Sequence, residues 1–320
     1  MDIEGKTALV VGAGRGIGRR VAELFSNAGS NVVVSLRTET ELLELEYKLN
    51  SNGGHDVLAL AADAARPDDT RLLVDQTLER FGSIEFLVIA AGKGILKPFG
   101  DLTLKEFEIS FRQNTETAFN VLHAVLPSMK EKKFGRIVAI PGVLGKASMM
   151  SASAYCASKY ALTGMIKCLK EEYKRDGIRF SLMHVGGVDS TFWDEISLKV
   201  DRGRMLSVDA AAKAVFFAAT REGEGVMSEV VLLPNPIRSS DLAGSPGTND
   251  KTGHEPNSRV RFKLKDAPSL DSGVIRLRRP VLFRKSYRAE VRVEIEVPVA
   301  RGADSFRHLR VGVDRIGCGL

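Results

Sequence analysis

The chain has 320 residues, 44% of them hydrophobic and 27% charged, which is ordinary for a globular protein and enough for one large domain with an appendage. Cys156, Cys168 and Cys318 are too few and too scattered for a disulfide framework or a zinc site, so a reducing, cytoplasmic setting is expected. No apolar run approaches the roughly 20 residues of a membrane-spanning helix, and Lys6–Val11 reads as a first core strand, not a leader.

The net charge of +6 is unevenly placed: residues 1–240 carry 30 basic and 30 acidic side chains, residues 241–320 carry 16 and 10. A composition shift of this kind marks a boundary.

Before it, apolar runs alternate with helical periods. Strands are predicted at Thr7–Val11, Asn31–Ser35, Val57–Ala61, Phe86–Ala90, Arg136–Ile140, Arg179–His184 and Glu229–Leu233. Helices are predicted at Arg19–Asn27, Glu39–Leu49, Asp68–Phe81, Leu104–Lys132, Ala154–Arg175 and Val208–Thr220. This alternation predicts an α/β fold: a doubly wound, parallel, seven-stranded Rossmann-type sheet, with ligands at the carboxyl ends of the strands.

The first strand runs into Gly12-Ala-Gly14-Arg15-Gly16-Ile17-Gly18 and then a helix. Glycines let a backbone turn sharply against a pyrophosphate, and the helix N-terminus offers it N–H groups. An acidic residue after the second strand would suit the ribose of NAD, and arginine a 2′-phosphate. Here that strand leads into Arg37, with Arg15 on the same side, which favours NADP(H).

Tyr155 and Lys159, four apart, share a helix face after the fifth strand. An ammonium beside a phenol favours the phenolate and makes it a usable acid/base. His184 and His123 read as packing residues.

With these residues in this order, the chain resembles the short-chain dehydrogenase/reductase family over about residues 5–235. The glycine loop matches Gly12, Gly16 and Gly18. The adenine-contacting aspartate matches Asp63, next to Ala64. The active-site asparagine matches Asn114, and the Tyr-x-x-x-Lys pair matches Tyr155 and Lys159. Val188-Asp189-Ser190 resembles the segment that holds the nicotinamide carboxamide. Three departures stand out: Ile89-Ala90-Ala91-Gly92 replaces the family's Asn-Asn-Ala-Gly, Val185-Gly186 replaces Pro-Gly, and the serine expected thirteen residues before the tyrosine is Gly142. Losing one such transition-state donor costs about 2.7–4 kcal/mol. Gly142→Ser is expected to recover part of this unless Gly142 needs a positive φ. Ser148 and Ser151 are the candidate substitutes, and Ser153 is expected to cap the following helix.

The resemblance implies an NADP(H)-dependent oxidoreductase interconverting a carbonyl and an alcohol. Tyr155 would be the acid/base, Lys159 would tune it and hold the ribose, and Asn114 would anchor a relay water. Cofactor contacts would come from Gly12, Arg15, Gly16, Ile17, Gly18, Arg37, Asp63, Ala64, Ala91, Gly92, Tyr155, Lys159, Val188 and Ser190. Met149, Phe192 and Trp193 would line an apolar substrate site, with no metal. The alternative is a non-catalytic NADP(H)-binding sensor or subunit that has lost the serine. Family members pair through helices matching Leu104–Lys132 and Ala154–Arg175, so a homodimer or homotetramer is expected.

The domain plan is therefore 1–237 for the dinucleotide-binding catalytic domain, 238–258 for a linker rich in Gly, Ser, Pro and Asn, and 259–320 for a basic C-terminal extension, β-rich or partly disordered. Alternation of Ala289, Val291, Val293, Ile295, Val297 and Val299 with charged neighbours predicts a strand there, with Arg276–Phe283 and His308–Val313 as partners. Few aromatics and mixed charges argue against nucleic acid as its partner.

Overall fold

The computed structural model describes residues 1–36, 39–51, 56–235, 276–277, 281–285, 288–298 and 306–313. Arg37, Cys318 and the linker assigned to 238–258 lie outside the described residues. The chain divides into two compact units, Met1–Ser245 and Pro246–Leu320.

The first unit contains β1 (Thr7–Val11), β2 (Asn31–Leu36), β3 (Val57–Ala61), β4 (Phe86–Ile89), β5 (Gly135–Ala139), β6 (Ile178–Val185), the short β7 (Val188–Asp189) and β8 (Leu206–Ser207), and β9 (Glu229–Leu232). The main sheet is parallel, in the order β3-β2-β1-β4-β5-β6-β9, as the alternation requires. The order reverses between β1 and β4, which opens a crevice beyond their carboxyl ends.

All five residues of β1 are buried, because helices cover both faces. Ala8 and Val10 pack with Val21 and Phe25 of α1 (Gly16–Asn27), Leu45 of α2 (Glu39–Ser51) and Val215 of α7 (Val208–Thr220). Leu9 and Val11 point the other way. They pack with Leu73 of α3 (Pro67–Phe81), Val121 of α5 (Thr117–Lys132) and Ile166 of α6 (Ser153–Glu172). The helical period predicted at Leu104–Lys132 is not one helix. It is α4 (Leu104–Phe111), a π-helical turn at Arg112–Glu116, and α5. Thr103 starts α4 through a capping box with Glu106.

In the second unit, β10 (Arg276–Leu277), β11 (Val281–Lys285), β12 (Arg288–Pro298) and β13 (Phe306–Val313) form an antiparallel sheet. β12 is its centre, pairing with all three others. The single partner strand predicted at Arg276–Phe283 is instead two strands, which pair with different stretches of β12.

Candidate active site

A cavity of about 450 Å³ lies in the crevice, walled by Gly12, Arg15, Gly16, Ile17 and Gly18 of the first loop, by Asp63 and Ala64, by Ala91 and Gly92, and by Ser190. The glycines are required by space. A Cβ on Gly12 would fall 2.5 Å from the Ala91 amide nitrogen, and one on Gly18 would fall 2.2 Å from the Gly12 carbonyl oxygen. α1 begins at Gly16, three residues earlier than its hydrophobic period suggests, and Arg15 at its N-cap makes no side-chain capping bond. The first N–H groups of α1 therefore have no side-chain cap, at the wall of the cavity. This donor set fits a pyrophosphate.

Beside Gly14 the cavity wall carries a carboxylate as well as the arginine that the sequence singles out. Glu41, in the first turn of α2, lines the cavity, and its Oε2 would sit 3.6 Å from a Cβ on Gly14. Arg15 forms an ion pair with Glu195 at 3.5 Å, and Lys93 reaches the other oxygen of Glu195 at 3.5 Å. Asp63 braces its own turn by accepting from the Ala65 amide at 3.1 Å.

Asn114 lies in the π-helical turn, buried. Its Oδ1 accepts from the Lys93 amide at 3.0 Å, while Nδ2 donates to the Lys93 carbonyl at 3.0 Å and to Ser158 Oγ at 3.0 Å. Ser158 Oγ in turn donates to the Tyr155 carbonyl at 2.8 Å. Asn114 thus ties the loop after β4 to α6. A Cβ on Gly92 would meet Asn114 Oδ1 at 2.6 Å and Lys159 Nζ at 2.9 Å, so only glycine lets these groups close on the cavity wall.

Lys159 is buried, donates to the Ile140 carbonyl at 3.3 Å, and lies 5.6 Å from the Tyr155 ring centroid. Burial pushes its pKa down to about 8. The expectation that Lys159 lowers the Tyr155 pKa is corrected: burial dominates and pushes the phenol up, with Cys156 adding to it.

Tyr155 borders an apolar cluster of Leu96, Ala152, Cys156, Trp193 and Ile196. Its ring centroid is 5.9 Å from that of Phe192, which packs edge-on against Trp193. Met149 is half-exposed and outside this cluster. Val188 is buried in the sheet–helix core, and its carbonyl accepts from the Trp193 indole at 2.9 Å. Arg202 fastens the segment, donating to Asp189 at 2.6 Å, Asp194 at 2.8 Å and the Ser190 carbonyl at 2.8 Å.

Gly142 has φ +71° and ψ 175°, a combination open in practice to glycine alone. Its carbonyl lies 3.0 Å from Nδ1 of His184, so this buried histidine holds the loop as well as packing. His123 is exposed and stacks on Phe119. Ser148 is exposed, and Ser151 itself has φ +63°. Ser153 is the first residue of α6; the cap position is Ala152 and makes no side-chain bond, so the expected serine cap is absent.

Sequence reasoning missed Ser158, Lys93, Glu41 and Glu195. Ser158 was within reach, lying three residues after Tyr155 and therefore on a shared helix face. The others come from distant loops and carry no local signal.

Residues 6–201 match the sequence profile of a family described as short chain dehydrogenase. The oxidoreductase UcpA of Escherichia coli is 33% identical over 196 residues, covering 61% of this chain and 74% of that protein. Sepiapterin reductase of Chlorobaculum tepidum is 27% identical over 233 residues, covering 71% and 95%. Among solved structures, a metagenomic short-chain oxidoreductase in complex with NADP superimposes with a TM-score of 0.63 at 27% identity, covering 73% and 99%. An alcohol dehydrogenase from Thermococcus sibiricus shares the fold, with a TM-score of 0.67 at 24% identity over 72% and 97%. With the glycine loop, the sheet order and the Tyr155–Lys159 pair in place, the chain belongs to the short-chain dehydrogenase family of oxidoreductases.

Proposed function

We propose that this oxidoreductase uses NADP(H) to interconvert a carbonyl and an alcohol on a small, largely apolar substrate. The observation that supports this best is the position of Tyr155. It borders the apolar cluster on one side and has Lys159, adjacent to the cavity wall at Gly92, on the other. When bound, a nicotinamide dinucleotide supplies hydride-transfer chemistry. Gly12, Gly16, Gly18 and the start of α1 would hold its pyrophosphate, and Arg15 its 2′-phosphate. The relative solved with NADP supports that choice.

The protein's own residues divide the remaining work. Tyr155 is the group placed to donate a proton to a carbonyl oxygen during reduction, although burial raises its pKa and by itself weakens it as an acid. Lys159, its charge destabilised by burial, is the neighbouring group that gains most from an added negative partner. Both amide hydrogens of Asn114 are engaged. Its role is to position the β4 loop against α6, with one Oδ1 lone pair left for a relay water. Phe192 and Trp193 exclude water from one side of Tyr155. Exposed Phe107, Phe119 and Tyr160 on α4, α5 and α6 offer the surface for the proposed homodimer or homotetramer.

One observation favours a second reading, a sensor or subunit without turnover: Gly142 brings no hydroxyl to the site. The deciding experiment is an NADPH titration beside a carbonyl-substrate panel, repeated with Tyr155→Phe. Turnover that disappears in Tyr155→Phe while NADPH binding persists supports the enzyme. Tight NADPH binding with no turnover anywhere in the panel supports the sensor, and equal turnover by parent and variant rejects the role of Tyr155.

A further inference from the structure

Arg136 and Arg179 are the second residues of β5 and β6, and they are direct partners across these parallel strands. Directly paired residues on parallel strands project to the same face, and both arginines line one small pocket there. Like charges so placed destabilise a sheet. Arg221 comes from the end of α7 and lines the same small pocket, together with Ser181 and Gly225. All of this lies at the amino-terminal edge of the sheet, whereas the dinucleotide cavity lies at the carboxyl ends of the strands.

We propose that Arg136, Arg179 and Arg221 form a second binding site, for a phosphate-type oxyanion, at this amino-terminal edge. Each arginine also has a structural contact that fixes its place. Arg179 donates to the Gly223 carbonyl at 2.9 Å, Arg221 donates to the Gly225 carbonyl at 3.0 Å, and Arg136 lies 5.2 Å from the centroid of the Phe134 ring. These contacts use one donor of Arg179 and one of Arg221, out of five on each guanidinium. The loop is shaped for them: Gly223 has φ +89°, and a Cβ on Gly225 would meet Arg221 Nη1 at 2.6 Å.

Among the described residues, compensating acid is what the cluster lacks. None of the three arginines forms an ion pair among the described residues. Glu222, next in sequence to Arg221, pairs with the amino group of Met1 instead. The Arg136 pKa is lowered by burial and then by the like charge of Arg179, with no carboxylate opposing them. A half-buried cationic cluster with free, planar donors is the setting in which arginine binds phosphate bidentately. The enclosed part of the pocket is about 10 Å³, no more than one water needs, so the oxyanion would sit at the pocket mouth against the outward-facing guanidinium donors and not inside it.

The test is calorimetric titration of the full chain with sodium phosphate, at ionic strength held constant with sodium chloride. Saturable phosphate binding is expected in the parent. Arg136→Gln and Arg221→Gln should each weaken it about tenfold, the loss of one charged hydrogen bond. Arg15→Ala, which alters the dinucleotide cavity, should leave it intact. Arg221 is exposed, so Arg221→Gln keeps the test valid if Arg136→Gln fails to fold. Acetate in place of phosphate should bind more weakly. The proposal is overturned if the parent shows no saturable binding, if binding survives Arg221→Gln but is lost in Arg15→Ala, or if acetate binds as tightly as phosphate.

Discussion

Arg15 and Glu195 face each other across the dinucleotide cavity, whose wall both help to form, with Nη1 and Nη2 of the arginine each 3.5 Å from one carboxylate oxygen. They are 180 residues apart in sequence, in the glycine loop and in the turn after β7. If Arg15 holds the 2′-phosphate as proposed, Glu195 would compete with that phosphate for the same guanidinium.

Glu195→Gln is expected to tighten NADPH binding by about two- to fivefold, as fits an exposed ion pair. NADH affinity should not change, and the gain should vanish in an Arg15→Ala background. Fluorescence titration of both dinucleotides reads this directly. Equal tightening of NADPH and NADH would show that Glu195 acts on something other than the phosphate contact.

Lys159 is buried and its pKa is pushed from its ordinary 10.5 down to about 8. Between these values the folded state holds fewer protons than the unfolded one, so the lysine's effect on stability becomes more favourable as pH rises. Its full penalty is present below pH 8. Lys159→Met should raise apo-protein stability at pH 7 by on the order of 2 kcal/mol, with the gap closing as the pH approaches 10. Urea melts at pH 7 and 9.5 would check it. A constant difference between variant and parent at the two pH values would mean the lysine is not desolvated as described.

Gly142→Ser has room for its side chain, since only the Val185 carbonyl, at 3.5 Å, lies within 4 Å of a Cβ there. The backbone is the obstacle. At φ +71° and ψ 175° a side chain adds about 1–3 kcal/mol of strain. The variant is expected to melt lower and to turn over no faster than the parent, with Gly142→Ala melting equally low. A faster Gly142→Ser with an unchanged Tm would contradict this.

Truncation after Ser245 should leave a cooperatively folding protein that binds dinucleotide, because the seven-stranded sheet and both of its helical layers lie within Met1–Ser245. Differential scanning calorimetry and NADPH titration of the shortened chain are the measurements. Loss of the cooperative transition would place residues of the second unit in the fold of the first.

The sequence of elements, the parallel sheet and the glycine loop were legible because each follows from local pattern. Continuous apolar runs such as Thr7–Val11 can be satisfied only by burial on both faces, and Gly12 and Gly18 leave no room for a Cβ. Helix starts were less legible. α1 begins inside the loop at Gly16, where hydrophobic period gives no signal, and the π-helical turn that holds Asn114 interrupts a pattern that reads as one helix. What tertiary structure alone decided is which distant groups meet. It set Glu41 beside Gly14, Glu195 between Arg15 and Lys93, and Asn114 between Lys93 and Ser158. It also reversed the expected shift of Tyr155, because proximity to Lys159 follows from helical spacing but burial does not. Periodicity constrains neighbours a few residues apart, while desolvation and long-range pairing depend on how the loops at the carboxyl ends of the strands close over one another.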